Sequence, residues 1–189
     1  MKLRIAGIEL FIGYDAAAAL TAVLLLDREN HIVCCILAAL LHELGHLLMM
    51  LLCGVAVRGV RLRLFDILIE ADEPRAFRDD VLITLGGAAV NLLCAAICCP
   101  FSIKLGLPHL ALGIFNLLPI LSLDGGHLLR LILSRRYSIL VTERVMFITT
   151  TAFIVPLMTA GILVLFQSGY NYSLLVISLY LTALLLLKK

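Results

Sequence analysis

An excess of charge of either sign is missing from this sequence. Its 15 lysines and arginines nearly balance 13 aspartates and glutamates, a net charge of +2, so no nucleic-acid or other polyanion partner is expected. C-x-x-C pairs are also absent, which excludes the zinc and redox motifs built on that spacing. The cysteines at 34, 35, 53, 94, 98 and 99 lie in or beside apolar runs and are expected to serve as small packing residues. A disulfide between the 34/35 and 98/99 pairs is the alternative. No small-residue cleavage site follows "MKLRIAGIELFIGYD", so a removable signal peptide is not expected. There is no internal repeat and no low-complexity linker.

Hydrocarbon is what the chain has in quantity. Apolar residues make up 62% of the 189 residues, and the mean hydropathy is +1.10. A soluble domain of this size has too little interior to hide so much apolar surface. The expected fold class is therefore an all-α polytopic membrane protein, one membrane-embedded domain over residues 1–189 with no separate soluble domain. A helix needs about 17–25 residues to cross a hydrocarbon core. Six candidate segments appear, at approximately 11–27, 31–53, 80–100, 107–133, 143–166 and 172–187. Asp15 interrupts the first, and Pro119 with Gly125-Gly126 is expected to break the fourth. Irregular backbone at membrane depth survives only where protein or water shelters it, so that break marks a site.

Six crossings would place 12 lysines and arginines on one side, among them Lys2, Arg61, Arg135 and Lys189. Only Arg28 and Lys104 fall on the other. The positive-inside rule then puts both termini in the cytoplasm, and the expected home is a bacterial cytoplasmic membrane. One stretch does not read as helix. "VAVRGVRLRLFDILIEADEP" alternates apolar and charged residues from Val60 to Leu64, turns at Phe65-Asp66, and resumes from Ile67 to Glu70. Leu3 to Phe11 is also strand-like, so a small cytoplasmic-side β-hairpin or sheet is expected.

"LLHELGHLLMMLL", Leu40 to Leu52, sets three polar groups in a greasy run. On a helix His42 and His46 lie one turn apart, about 40° around the axis, so both imidazoles can reach one ion. Glu43 sits beside them, displaced from the ligands yet near enough to take a proton from an attacking water. Two histidine ligands plus a glutamate base is the zincin arrangement. Gly45 leaves room for a neighbour or substrate to approach. A His-Glu-His cluster in lipid costs several kcal/mol unless something compensates it, so intramembrane ionisable groups are functional by default.

A zinc hydrolase needs a third protein ligand. Asp124, in "FNLLPILSLDGGHLL", is the best candidate. It follows Pro108 by 16 residues as His46 follows His31 by 15, which sets both about 23 Å along their segments. An amide such as that of Asn116 can donate to a developing oxyanion or form an interhelical hydrogen bond, and Pro119 either shapes the bend or touches substrate. His127 is better read as an unrelated polar contact, and His31 and His109 as interfacial residues at segment ends.

H-E-L-G-H in one segment, followed by Asn116-x-x-Pro119-x-x-x-x-Asp124-Gly125 in a later one, resembles the site-2 protease family of intramembrane zinc metalloproteases. "GGAAVN", with Gly87 and Asn91, is similar in part to the family's G-P-x-x-N, Ala88 standing at the proline position. The resemblance spans residues 31–133, the expected catalytic core. It implies one zinc ion per chain held by His42, His46 and Asp124, Glu43 as base, and Asn116 and Asn91 near the substrate backbone. It also implies a membrane-associated hairpin over Val57–Glu70. The compact form without a PDZ insertion is similar to the stage IV sporulation protein FB branch, whose frequent CBS domain this chain is too short to hold.

The expected activity is hydrolysis of a peptide bond in a membrane-associated protein near the cytoplasmic face, in regulated proteolysis. The partners expected with it are that substrate, the lipid bilayer, a membrane regulatory protein and a second copy of the chain. The alternative is a divalent-metal transporter or another metal-binding membrane protein. Transport needs polar groups continuing to both faces, whereas "HIVCCILAAL" is nearly all apolar beyond His31. A catalytically dead scaffold is disfavoured because base and ligands are all present. Single cysteines introduced at positions 61 and 135 should react with impermeant maleimide only from the cytoplasmic side; labelling from outside in intact cells would invert the topology.

Overall fold

The computed structural model describes residues 2–5, 8–12, 31–62, 67–72 and 76–187. They form four strands and six helices: β1 Lys2–Ile5, β2 Ile8–Ile12, α1 His31–Leu52, β3 Val57–Leu62, β4 Ile67–Ala71, α2 Phe77–Cys98, α3 Ile103–Asn116, α4 Asp124–Ser134, α5 Ile139–Ser168 and α6 Ser173–Leu187. The expected class, helical membrane protein with a small sheet, is the one observed. Among the described residues α1, α2 and α5 are long and apolar enough to cross a membrane. The crossing expected over 11–27 and the turn at Phe65-Asp66 lie largely outside the described residues. Two compact units divide the chain, Met1–Phe115 and Asn116–Lys189.

In the first unit the strands join into one sheet ordered β1-β2-β3-β4. Both hairpins are antiparallel, with Lys2 opposite Phe11 and Leu62 opposite Ile67. Between them β2 and β3 run parallel, Glu9 opposite Gly59 and Ile12 opposite Leu62. Parallel neighbours require a long crossover connection, and α1 lies within this one. The chain leaves α1 sharply. Gly54 adopts φ 69°, and the Gly54 and Val55 amides donate to the Leu51 and Met50 carbonyls at 3.1 and 2.9 Å. This glycine-capped helix end satisfies carbonyls that lipid would leave bare and turns the backbone into β3 within a few residues. Arg58 pairs with Asp72 across β3 and the end of β4.

Helices α1 and α2 pack backbone to backbone. The buried positions of α1, Cys34, Ala38, His42, Gly45 and His46, recur at three- and four-residue spacing and form one stripe. Leu37, Leu40, Leu44, Leu48 and Leu51 lie away from it, 41–58% exposed, as lipid-facing side chains should be. Opposite the stripe, α2 buries Ile83, Thr84, Gly86, Gly87, Ala88, Asn91 and Ala95. A Cβ on Gly45 would lie 2.5 Å from the Gly86 carbonyl oxygen, and one on Gly86 2.7 Å from that of Gly45. Only hydrogen fits at either position. The room expected beside Gly45 is therefore taken by a neighbouring helix. Helix α3 presents the stripe Gly106, His109 and Gly113, and a Cβ on Gly113 would sit 3.3 Å from the Asn91 Cβ.

In the second unit the expected segment 107–133 is represented by α4 alone, α3 ending at Asn116 where this unit begins. Residues 117–123 interrupt the two helices. Pro119 falls inside that interruption, as expected, whereas Gly125-Gly126, the other half of the expected break, lie in the first turn of α4. A Cβ on Gly125 would fall 2.1 Å from the Leu117 carbonyl oxygen, and one on Gly126 2.0 Å from that of Ile120. They serve close approach of the preceding loop rather than a bend of their own. Helix α5 runs for 30 residues, and Arg130 of α4 pairs with its Glu143. A Cβ on Gly161 would meet the α6 backbone at Leu175, 2.8 Å away, so α5 and α6 also touch through a glycine.

Gly45→Ala should force α1 and α2 apart and destabilise the protein by about 1–3 kcal/mol, the usual range for overpacking. A melting temperature in detergent equal to the parent's would show that the close approach is dispensable.

Candidate metal centre

Two imidazoles meet on the inner stripe of α1. The His42 and His46 rings stand edge to face, centroids 4.7 Å apart at 84°, with their Nε2 atoms 3.1 Å apart. Both are buried, at 5% and 9% exposure. The His46 Nδ1–H donates to the Ile83 carbonyl oxygen at 2.8 Å. A carbonyl can only accept, so the His46 proton sits on Nδ1 and its Nε2 lone pair faces inward. That is the tautomer a metal ligand needs. Asn91 Nδ2 donates to His42 Nδ1 at 3.2 Å, and His109 Nδ1 donates to Asn91 Oδ1 at 3.0 Å.

The space before the two Nε2 atoms is set by Gly87. A Cβ there would lie 2.5 Å from His46 Nε2 and 2.8 Å from His42 Nε2. A cradle that a methyl group would fill therefore faces both nitrogens. Zinc binds histidine nitrogen at about 2.0–2.1 Å, so a tetrahedral ion sets two such nitrogens roughly 3.3 Å apart. The observed separation fits, and the residues present suit a divalent cation of the zinc type.

Glu43 follows His42 on α1 and is half-buried, beside the pair. The remaining sequence candidates belong to the second unit or its border. Asn116 closes α3, Pro119 lies in the loop after it, and Asp124 opens α4; all three are half-buried. Asp124 occupies the first turn of its helix, where the amide dipoles favour a carboxylate. The loop before it is held from α5. The Leu121 amide donates to the Thr150 hydroxyl oxygen at 3.0 Å, and Thr150 and Ile120 are each 1% exposed. His31 and His127 are exposed, in keeping with their expected minor roles. All six cysteines are free thiols, Cys34 buried, Cys35 exposed and the other four half-buried, so the alternative disulfide is not formed here.

Two residues escaped the sequence reading. His109, expected at an interface, is 3% exposed and hydrogen-bonded to Asn91. Its glycine neighbours on the same stripe were the available signal, since a histidine flanked on one helix face by Gly106 and Gly113 faces protein, not headgroups. Thr150 had no comparable signal, being one of several threonines in α5.

Residues 100–160 match the family model described as Peptidase family M50. That stretch carries Asn116, Pro119 and Asp124 and begins downstream of HELGH. The chain is also similar in fold to a solved structure, the site-2 protease from Methanocaldococcus jannaschii. The two share 23% sequence identity and a TM-score of 0.67 over 96% of this chain and 91% of that one. The resemblance to the site-2 protease family is upheld. No curated protein matches the chain. A peptidase-family match, a fold shared with a site-2 protease and three helices long and apolar enough to cross a membrane are together in keeping with an integral membrane metalloprotease. In this chain the helix carrying HELGH meets α2 at backbone contact, Gly45 against Gly86 and Gly87.

Gly87→Ala should lower zinc affinity by at least about tenfold, since its methyl occupies the space before both nitrogens. Equilibrium dialysis against zinc on the full chain in detergent measures this; unchanged affinity would mean that the ion does not bind there.

Proposed function

We propose that this protein is a zinc-dependent intramembrane endopeptidase, cutting a peptide bond of a membrane-associated protein near the cytoplasmic face in regulated proteolysis. The observation that carries the reading is the convergence of the His42 and His46 Nε2 atoms, 3.1 Å apart, on the opening left by Gly87. Asp124 is the third ligand in this reading, supported by its motif, its place at the start of α4, and a fold likeness that covers both units. One zinc ion per chain follows from one such ligand set.

When bound, zinc supplies Lewis acidity to the scissile carbonyl and to the attacking water. Glu43 takes the water's proton and returns it to the leaving amine, the role its position beside His42 allows. The Asn116 amide donates to the oxyanion that develops on the carbonyl, and Pro119 holds the loop that presents it. The buried ring nitrogens keep their orientation through hydrogen bonds to α2, so the ligands need no rearrangement during the reaction. A substrate has to be extended for its carbonyl to be reached. Strand β4 stands at one edge of the four-stranded sheet, and its outward amide and carbonyl groups can hold such a strand by β-addition. The released product leaves toward the cytoplasm, and a membrane regulatory protein and a second copy of the chain are the further partners in this reading.

Glu43→Gln should keep zinc at one ion per chain while peptide hydrolysis falls by about 10²- to 10⁴-fold, the usual contribution of a general base. Co-expressed with membrane proteins, this variant should retain uncut substrate. Full activity in Glu43→Gln would remove the base, and zinc retained at parental stoichiometry in His42→Ala and in His46→Ala would remove the ligands.

A further inference from the structure

A buried amide cannot be indifferent to its ends. Asn91 is 0% exposed, His109 3% and His42 5%, so hydrogen bonds left unmade among them would be costly. The three side chains form a line from α3 through α2 to α1. His109 Nδ1 lies 3.0 Å from Asn91 Oδ1, Asn91 Nδ2 lies 3.2 Å from His42 Nδ1, and His42 Nε2 lies 3.1 Å from His46 Nε2. The direction of each bond follows from one fixed point. His46 carries its proton on Nδ1, because it donates to the Ile83 carbonyl, so its Nε2 accepts. His42 therefore donates from Nε2, and its Nδ1 accepts from the Asn91 amide nitrogen. The Asn91 oxygen in turn accepts from His109 Nδ1–H. Each hydrogen has one place, and the whole line is consistent with a metal-free cluster of neutral imidazoles.

The same line is wrong for a ligand. His42 can coordinate through Nε2 only if that nitrogen gives up its hydrogen, and a neutral ring then carries the hydrogen on Nδ1. A protonated Nδ1 needs an acceptor opposite it, and the group opposite is Asn91. Turning the Asn91 amide by 180° places Oδ1 against His42 Nδ1 and Nδ2 against His109 Nδ1. His109 then accepts at Nδ1 and carries its hydrogen on Nε2. The heavy atoms keep their places, both amide contacts remain hydrogen bonds, and every ring stays neutral. The closeness of α2 and α3 at Gly113 holds Asn91 and His109 in this contact.

We propose that Asn91 and His109 are positioning residues for the metal ligand His42, their hydrogen-bond polarity reversing as the site takes up its cation. This rests on the zinc reading of the His42–His46 pair. It differs from a substrate-binding part for Asn91 because the amide is spent at both ends on histidines. It also gives His109 a function that neither motif nor spacing suggested.

The test uses the full chain in detergent, stripped of metal and titrated with zinc alone. Affinity is measured by competition with a chelating indicator. Asn91→Leu removes the amide, Asn91→Asp keeps an acceptor toward His42, and His109→Phe removes the outer anchor. The expected result is a loss of about 10- to 100-fold in zinc affinity for Asn91→Leu and His109→Phe, the usual effect of losing a group that orients a ligand. Asn91→Asp should stay within about threefold of the parent, and that rescue separates tautomer control from packing. The second readout needs no variant. With ¹⁵N-histidine labelling, zinc should move the His109 hydrogen from Nδ1 to Nε2 and the His42 hydrogen from Nε2 to Nδ1. Zinc binding by the parent with His109 unchanged would overturn the proposal and leave the metal site standing, as would parental affinity in Asn91→Leu. A parent that binds no zinc, or binds it equally with His42→Ala, would instead bring down the metal reading itself.

Discussion

Contact between two helix backbones, at Gly45 of α1 and Gly86 of α2, governs what the first unit can do. Lipid offers a polar group no compensation, so imidazoles inside an apolar helix must find partners on another helix. They can do so only if that helix comes close enough for ring nitrogens to reach its carbonyls and amides. With hydrogen at both glycines, His46 reaches the Ile83 carbonyl and His42 reaches Asn91. The next glycine, Gly87, keeps the space in front of the pair clear. Close packing and ligand orientation thus arise from one short glycine pair, and neither could be adjusted without the other.

Much of this is legible in the sequence. The histidine stripe of α1 follows from a period of 3.6, and the sheet follows from alternation between Val60 and Leu64, its resumption from Ile67 to Glu70, and the strand-like start of the chain. What periodicity could not give was partnership across elements. The parallel pairing of β2 with β3 joins segments on opposite sides of α1 in the chain, and no local pattern encodes it. Gly125-Gly126 signalled irregular backbone, but glycine marks both bends and close contacts, and here the contact won. His109 looked interfacial because segment ends were inferred from hydropathy, which counts neighbours along the chain and not those facing a residue. Its burial against Asn91 is a fact about α2 and α3 together.

The comparisons and the geometry bear on different parts of the chain. The family match covers the stretch with Asn116, Pro119 and Asp124, whereas the contacts among His42, His46, Asn91 and His109 stand on the coordinates of the first unit alone. Departure from the middle family motif at Ala88 is structurally mild. Ala88 is 1% exposed on the buried face of α2, and an alanine keeps that helix regular where a proline would remove an amide donor. Regularity there keeps Gly87 and Asn91 one turn apart, which is the spacing that lets one face the ring nitrogens and the other hold a ring from behind.

Thr150 gives the loop before Asp124 an unusual anchor. Helix α5 has 30 residues, but Glu143 and Arg144 fall in its second turn, so its apolar stretch runs from Val145 to Phe166, about 33 Å at 1.5 Å per residue and close to a hydrocarbon core of about 30 Å. Through the hydrogen bond from the Leu121 amide to Thr150, the loop before the carboxylate is tied to that apolar stretch, and because Thr150 is 1% exposed no solvent competes for the bond.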